Sequence, residues 1–224
     1  MNRVVHIDSR AVPIWPEGQG FDTLDGILHS TVFTDTDLYH PGLKRAILEM
    51  AQQASGATRY GRSSGGTKLH YFERWGCAEA NLIHERALEL FRRALKRATA
   101  VADAAWVNVY REGDYAMAHS HCRATASLVY FVDPGDPDAD DPDAGRFSIV
   151  DPRLARCCSV QEGCLSNSLY TSMTPGTLIM FPAAVVHAVN PYRGKRPRIT
   201  IAWNINETAI EGSPYPHGIT PGPP

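Results

Sequence analysis

The strongest constraint on the fold is a set of side chains that lie far apart in the chain yet make chemical sense only side by side. His119 and His121 stand two residues apart, His187 lies far downstream, and Arg198 follows it by eleven residues. Alternate residues of a strand share a face, so one extended segment can aim both His119 and His121 at a single metal ion. The third ligand must then come from another strand. Thr177 to Phe181 fits that need: it is apolar, opens after the turn-forming pair Pro175 and Gly176, and ends at Pro182, just before the loop that carries His187. A His-x-His pair alone is more often a surface or core pattern than a metal site. The ordered downstream residues are what turn it into a candidate.

Three protein ligands on one face of an octahedral ion leave three positions open. Two can hold a bidentate co-substrate and one can hold dioxygen, which is the general logic of non-haem Fe(II) oxygenase sites.

The rest of the chain agrees with one β-rich domain, residues 1–224. With 224 residues and 43% hydrophobic composition, it can bury a sizeable core. Residues 1–104 read as mainly helical support. Residues 41 to 54 carry apolar side chains near helical spacing after Pro41, and a second helix is expected from about Ala78 to Ala102, with Leu82, Leu88, Leu90, Phe91 and Leu95 set against Arg86, Glu89, Arg92, Arg93 and Lys96. Residues 105–207 break into short apolar runs split by Gly, Pro and Asp, the mark of strands and turns. The stretch from Asp133 to Gly145 holds six aspartates and three prolines, so a solvated irregular connection is expected rather than a calcium loop. Residues 208–224 form a tail rich in Pro and Gly.

Charge and cysteine usage narrow the function classes. A formal net charge of −2 shows no basic surplus for nucleic acid or an anionic membrane, so a small-molecule substrate is expected. No apolar stretch is long enough to span a bilayer, and the first residues lack the apolar core of a signal peptide. Five cysteines at irregular spacing read as free thiols of a reducing compartment, and the expected location is cytoplasmic. Oligomeric state is not legible.

The segments His119-Ser-His121, Ser127-Leu-Val-Tyr130, Pro175-Gly-Thr-Leu-Ile-Met-Phe-Pro182, His187 and Arg198-Ile-Thr-Ile-Ala-Trp-Asn204 resemble those of the 2-oxoglutarate and Fe(II)-dependent oxygenases, within a group of small bacterial proteins. The resemblance implies a double-stranded β-helix, or jelly roll, braced by amino-terminal α-helices. It further implies Fe(II) held by His119, His121 and His187, with 2-oxoglutarate and dioxygen as co-substrates and hydroxylation of a small or amino-acid-derived molecule, releasing succinate and carbon dioxide. Arg198 would hold the far carboxylate of 2-oxoglutarate, because a buried charge needs a fixed bidentate partner. Thr200 shares its strand face. Tyr130 is the expected phenolic partner of the same carboxylate, and Asn108 a contact from the preceding strand. Arg62, Lys68 and Arg74 are candidates for gripping an anionic substrate.

One departure stands out. The wider superfamily usually has Asp or Glu at the position of His121, and three neutral imidazoles leave the metal charge to be offset by the co-substrate. Either both His119 and His121 ligate, or one orients a ligand while a carboxylate or a water completes the set. Two other readings share parts of the pattern. Gly113, His119, His121, Gly176, Pro182 and His187 also resemble a cupin motif, which would make the protein a three-histidine dioxygenase or isomerase without 2-oxoglutarate. The glutamate that cupins place just after His-x-His is replaced by Ala124, Thr125 and Ala126. A non-enzymatic metal- or ligand-binding barrel is the third reading.

Overall fold

The apolar runs of the second half pair into two antiparallel sheets. The computed structural model describes residues 3–53, 66–158 and 167–210. In chain order these hold β1 (Val4–Ile7), β2 (Arg10–Pro13), β3 (Asp22–Leu24), β4 (Leu28–Val32), α1 (His40–Gln53), β5 (Thr67–His70), α2 (Ala78–Leu95), β6 (Val101–Tyr110), β7 (Ala116–His119), β8 (Ala126–Asp133), β9 (Phe147–Ile149), β10 (Leu169–Tyr170), β11 (Thr177–Pro182), β12 (His187–Val189) and β13 (Arg198–Asn206). The large sheet runs β3-β4-β11-β8-β13-β6-β5 and the small one β10-β9-β12-β7, while β1 and β2 make a separate hairpin. This is the jelly-roll architecture expected from the sequence.

The central strands of the large sheet are apolar on both faces because both faces are covered. Every residue of β8 is buried. One face carries Leu128, Tyr130, Ile199, Ile201 and Trp203 against Leu43 and Ile47 of α1 and Leu82, Ile83, Leu90 and Phe91 of α2. The other carries Val129, Phe131, Ile179, Phe181 and Ala202 against Phe147, Ile149 and Val189 of the small sheet. Gly176 sits at the turn into β11 with φ +92, and a Cβ there would meet the Phe33 carbonyl oxygen at 2.3 Å. That combination requires glycine.

Three details differ from the sequence reading. Among the described residues, the first 100 hold five strands besides their two α-helices, and β3, β4 and β5 extend the large sheet on both edges. Such edge strands are short and weakly patterned, so periodicity alone does not find them. The second helix stops at Leu95 rather than near Ala102, because Lys96 takes a left-handed conformation and its backbone N–H caps the Arg92 carbonyl. The chain then pairs with β13 from Val101 onward. Finally, Arg86 is not on the polar face of its helix but fully buried beneath it. Its guanidinium bonds bidentately to Asp35, at 2.9 and 2.6 Å, and also donates to the carbonyls of Pro13 and Ile14 and to the Tyr39 hydroxyl.

The Asp-rich stretch after β8 is irregular, as expected, and is stapled by local side-chain bonds such as Asp138 accepting from the Asp140 amide at 2.8 Å. Among the described residues no helix is long and apolar enough to cross a membrane. The tail beyond residue 210 and the segment 54–65, with Arg62 in it, lie outside the described residues.

Candidate metal centre

Antiparallel pairing of β7 with β12 sets His187 directly opposite His119. His121 follows two residues after, where its backbone N–H donates to the Ala183 carbonyl at 2.8 Å and ties it to the crossover from β11 to β12. The ligand-type atoms of His119, His121 and His187 lie within 4.8 Å of one another. Their rings are 4.3 Å apart for His119 and His187, 5.2 Å for His119 and His121, and 5.3 Å for His121 and His187.

Two hydrogen bonds decide how these rings face. Nδ1 of His119 is 2.7 Å from the Met117 carbonyl oxygen, and Nδ1 of His187 is 3.0 Å from the Val185 carbonyl oxygen. A carbonyl can only accept, so each Nδ1 carries the proton and each Nε2 keeps a free lone pair. Burial, and then the neighbouring imidazoles, pull His121 down to about 4 and His187 to about 3, and burial lowers His119 as well. At neutral pH the three rings are therefore neutral donors, the form a divalent ion requires.

Asp151 supports this corner from behind. It is buried at the end of β9, accepts from the Val186 amide at 3.0 Å, and is gripped by the Arg153 side chain at 2.8 and 2.5 Å. Arg153 also donates to the Ala184 carbonyl. The pair clamps the segment that leads into His187 and holds the Asp151 carboxyl well below the usual range.

The cluster opens into a cavity of about 280 Å³ between the sheets. Its walls include Asn108, Arg198, Thr200 and Lys68 among the residues expected from the sequence, together with Trp106, Tyr110, Phe147 and Val189. Strand parity explains the grouping: Arg198 pairs with Tyr110 and Thr200 with Asn108, and all four point inward. Arg198 is 1% exposed, yet its Nε and one terminal nitrogen have no hydrogen-bond partner. Its other terminal nitrogen reaches only the Met173 sulfur at 3.7 Å, and the guanidinium carbon stands 5.2 Å from the Tyr110 ring centre. Burial lowers its pKa, with Tyr110 and Tyr192 pulling the other way.

Tyr130 must be corrected. It is fully buried on the opposite face of the large sheet, where its hydroxyl meets Nε2 of His40 at 2.7 Å and the Tyr39 hydroxyl at 3.0 Å. On β8 the residues that face the cavity side are Val129 and Phe131. The parity of this strand could not be carried across the turn at residues 122–125, whereas Tyr110 was findable because it is two residues from Asn108 on one strand. Met173, on a connecting segment, left no such signal. Arg74 stacks over Tyr71, 5.0 Å from its ring centre, and is not among the cavity residues; Arg62 lies outside the described residues.

Residues 104–204 match a family model described as "Putative 2OG-Fe(II) oxygenase". No curated protein matches at a significant level. Among solved structures, a Pseudomonas putida prolyl-4-hydroxylase is 18% identical with a TM-score of 0.56, over 79% of this chain and 91% of that one. A viral collagen prolyl hydroxylase from Paramecium bursaria Chlorella virus-1, solved with 2-oxoglutarate, is 13% identical with a TM-score of 0.55, over 81% and 97%. A non-haem, α-ketoglutarate-dependent epimerase from nogalamycin biosynthesis is 11% identical with a TM-score of 0.61, over 87% and 84%. These similarities are of fold. Residues 104–204, a little under half of the chain, are thus similar to that "Putative 2OG-Fe(II) oxygenase" family, and the fold is similar to those of the solved structures.

Proposed function

We propose that this protein is a 2-oxoglutarate-dependent hydroxylase of a small molecule, with Fe(II) held by His119, His121 and His187. The observation that carries the reading is Arg198: a guanidinium with two unpartnered nitrogens, buried in the same cavity as three neutral imidazoles. Leaving such a group unpaired is costly, and a carboxylate is the partner its planar donors fit best. One anchor for a metal and another for a carboxylate, in one cavity, suit a dicarboxylic keto acid.

When bound, Fe(II), 2-oxoglutarate and dioxygen supply the oxidising chemistry, one oxygen atom leaving in succinate and the other in the hydroxylated product. The chain's own residues do the positioning. Backbone carbonyls of Met117 and Val185 hold the tautomers of His119 and His187 so that Nε2 faces the ion. Arg198 fixes the far carboxylate, and Tyr110 and Phe131 wall the guanidinium off from water, which strengthens its pull on an anion. Asn108 and Thr200, 3.5 Å apart on facing strands, offer polar contacts along the co-substrate. If all three imidazoles ligate, the positions left are those the co-substrate and dioxygen need, so a halide has no place and hydroxylation is favoured over halogenation. A cupin reaction without 2-oxoglutarate gives Arg198 no task.

The test is anaerobic. Fe(II) followed by 2-oxoglutarate should produce the weak visible charge-transfer band of the chelated keto acid, and Arg198→Ala should lose it or require far more 2-oxoglutarate. Bound iron without a band in the wild-type protein would overturn the reading.

A further inference from the structure

One peptide group links His187 to a buried carboxylate. The Val185 carbonyl oxygen accepts from Nδ1 of His187 at 3.0 Å, and the Val186 amide donates to Oδ2 of Asp151 at 3.0 Å. That oxygen and that amide belong to the same planar unit, the peptide between Val185 and Val186. The carboxylate therefore reaches the imidazole through a single amide: carboxylate to N–H at one end, carbonyl to Nδ1–H at the other. Hydrogen bonds in series through an amide polarise one another, so an anion at the N–H end makes the carbonyl a stronger acceptor.

The local fold keeps this line in place. The Val185 amide donates to the Pro182 carbonyl at 2.9 Å, and the Val150 amide donates to the Val186 carbonyl at 3.0 Å, so the peptide units before and after the shared one are tied as well. From His187 onward β12 pairs with β9. The charges behind the peptide are unequally placed. The Asp151 side chain is 1% exposed, whereas that of its partner Arg153 is 63% exposed. Water screens the guanidinium far more than the carboxylate, so the negative end dominates the field at the peptide. The Arg153 side chain, together with the Val186 and Arg153 amides, also holds the carboxyl well below its ordinary range, which keeps it charged at neutral pH. The three imidazoles, being neutral, bring no charge of their own to a divalent ion.

Resting on the metal centre of the function proposed above, we propose that Asp151 is a positioning residue that acts on the ion through the Val185–Val186 peptide: its charge draws the Nδ1 proton of His187 toward the Val185 carbonyl and makes Nε2 a stronger donor to the metal. Arg153 then has two effects of opposite sign. It orders the corner through Asp151 and the Ala184 carbonyl, and it subtracts from the charge that Asp151 passes on.

The test compares wild type, Asp151→Asn and Arg153→Met, with urea melts to show that each variant is folded. Co(II) is titrated anaerobically and read by its visible absorption, and the His187 Nδ1 proton is followed by NMR in the Zn(II) form. Asp151→Asn keeps the shape and an acceptor for the Val186 amide but loses the charge; it should weaken Co(II) binding by roughly tenfold and move the His187 Nδ1 proton upfield. Arg153→Met should bind Co(II) as tightly as wild type or more tightly, and move that proton downfield. A clamp with no electronic effect would lose metal in both variants alike. Three outcomes would overturn the proposal: Co(II) affinity unchanged in Asp151→Asn, a His187 Nδ1 proton that does not move in that variant, or a loss in Arg153→Met as large as the one expected of Asp151→Asn. Arg153→Met alters an exposed side chain, so it decides the matter even if Asp151→Asn does not fold. Failure of the wild-type protein to bind Co(II) is a different result; it removes the metal centre, and the proposed function and this inference with it.

Discussion

Two arginines are buried on opposite faces of the same sheet, and they are bonded in opposite ways. Arg86, 0% exposed on the helix side, places all three of its nitrogens against the Asp35 carboxylate, two carbonyls or the Tyr39 hydroxyl. Arg198, 1% exposed on the cavity side, leaves two nitrogens without a partner and offers the third to a sulfur. A buried guanidinium is tolerated when its donors are satisfied. The first is therefore part of the scaffold, and the second is arranged for something the chain does not itself provide. The same contrast holds for histidine. His40 gives its Nε2 to Tyr130, while Nε2 of His119 and of His187 is left free by bonds made at Nδ1.

The contrast can be broken by substitution. Arg86→Met would strand Asp35, Tyr39 and two buried carbonyls, and should cost about 3–5 kcal/mol in urea unfolding. Arg198→Met should leave urea stability unchanged or slightly raised while 2-oxoglutarate affinity, measured by anaerobic titration, falls by about 2–5 kcal/mol. If Arg198→Met unfolded the protein as readily as Arg86→Met, the two arginines would not differ in kind.

Acid sharpens the comparison on the scaffold side. Burial lowers both His40 and His84 to about 4. Their unfolded forms take up protons near the ordinary histidine value, around 6.5, while the folded forms do not. Stability should therefore be full above that value and fall as pH drops from about 6.5 to 4, by on the order of 1.4 kcal/mol per pH unit for each such imidazole. Urea melts across that range check it, and His40→Gln should reduce the slope. Smallest of all, Tyr130→Phe should cost about 1 kcal/mol of stability through its lost bonds to His40 and Tyr39 and leave 2-oxoglutarate affinity unchanged. A loss of co-substrate binding there would return Tyr130 to the site.

How much of the site was legible depended on strand parity and on chain distance. Arg198, Thr200 and Asn108 could be placed together because alternation is fixed within a strand and because the arginine lay a readable distance past His187. Tyr130 was misplaced because a turn of unknown length separated its strand from His121. Arg86 was misread because a helical stripe gives a direction but not the depth of the cover over it: Asp35 and the hairpin that bury it lie about fifty or more residues away in the chain. Among the amino-terminal strands, β3, β4 and β5 exist because the large sheet offers them edges, not because their own pattern demands it.

By itself, the sequence determined the identity of the ligand-type side chains, their order, and the alternation that allows an arginine and a threonine to look the same way. Those properties are local, set by covalent spacing and the period of a strand. The tertiary structure decided which face became a cavity, which hydroxyl served the core instead, and which of two buried guanidinium groups found a carboxylate within the chain. Those outcomes depend on what a distant segment brings alongside, and no local period carries that information.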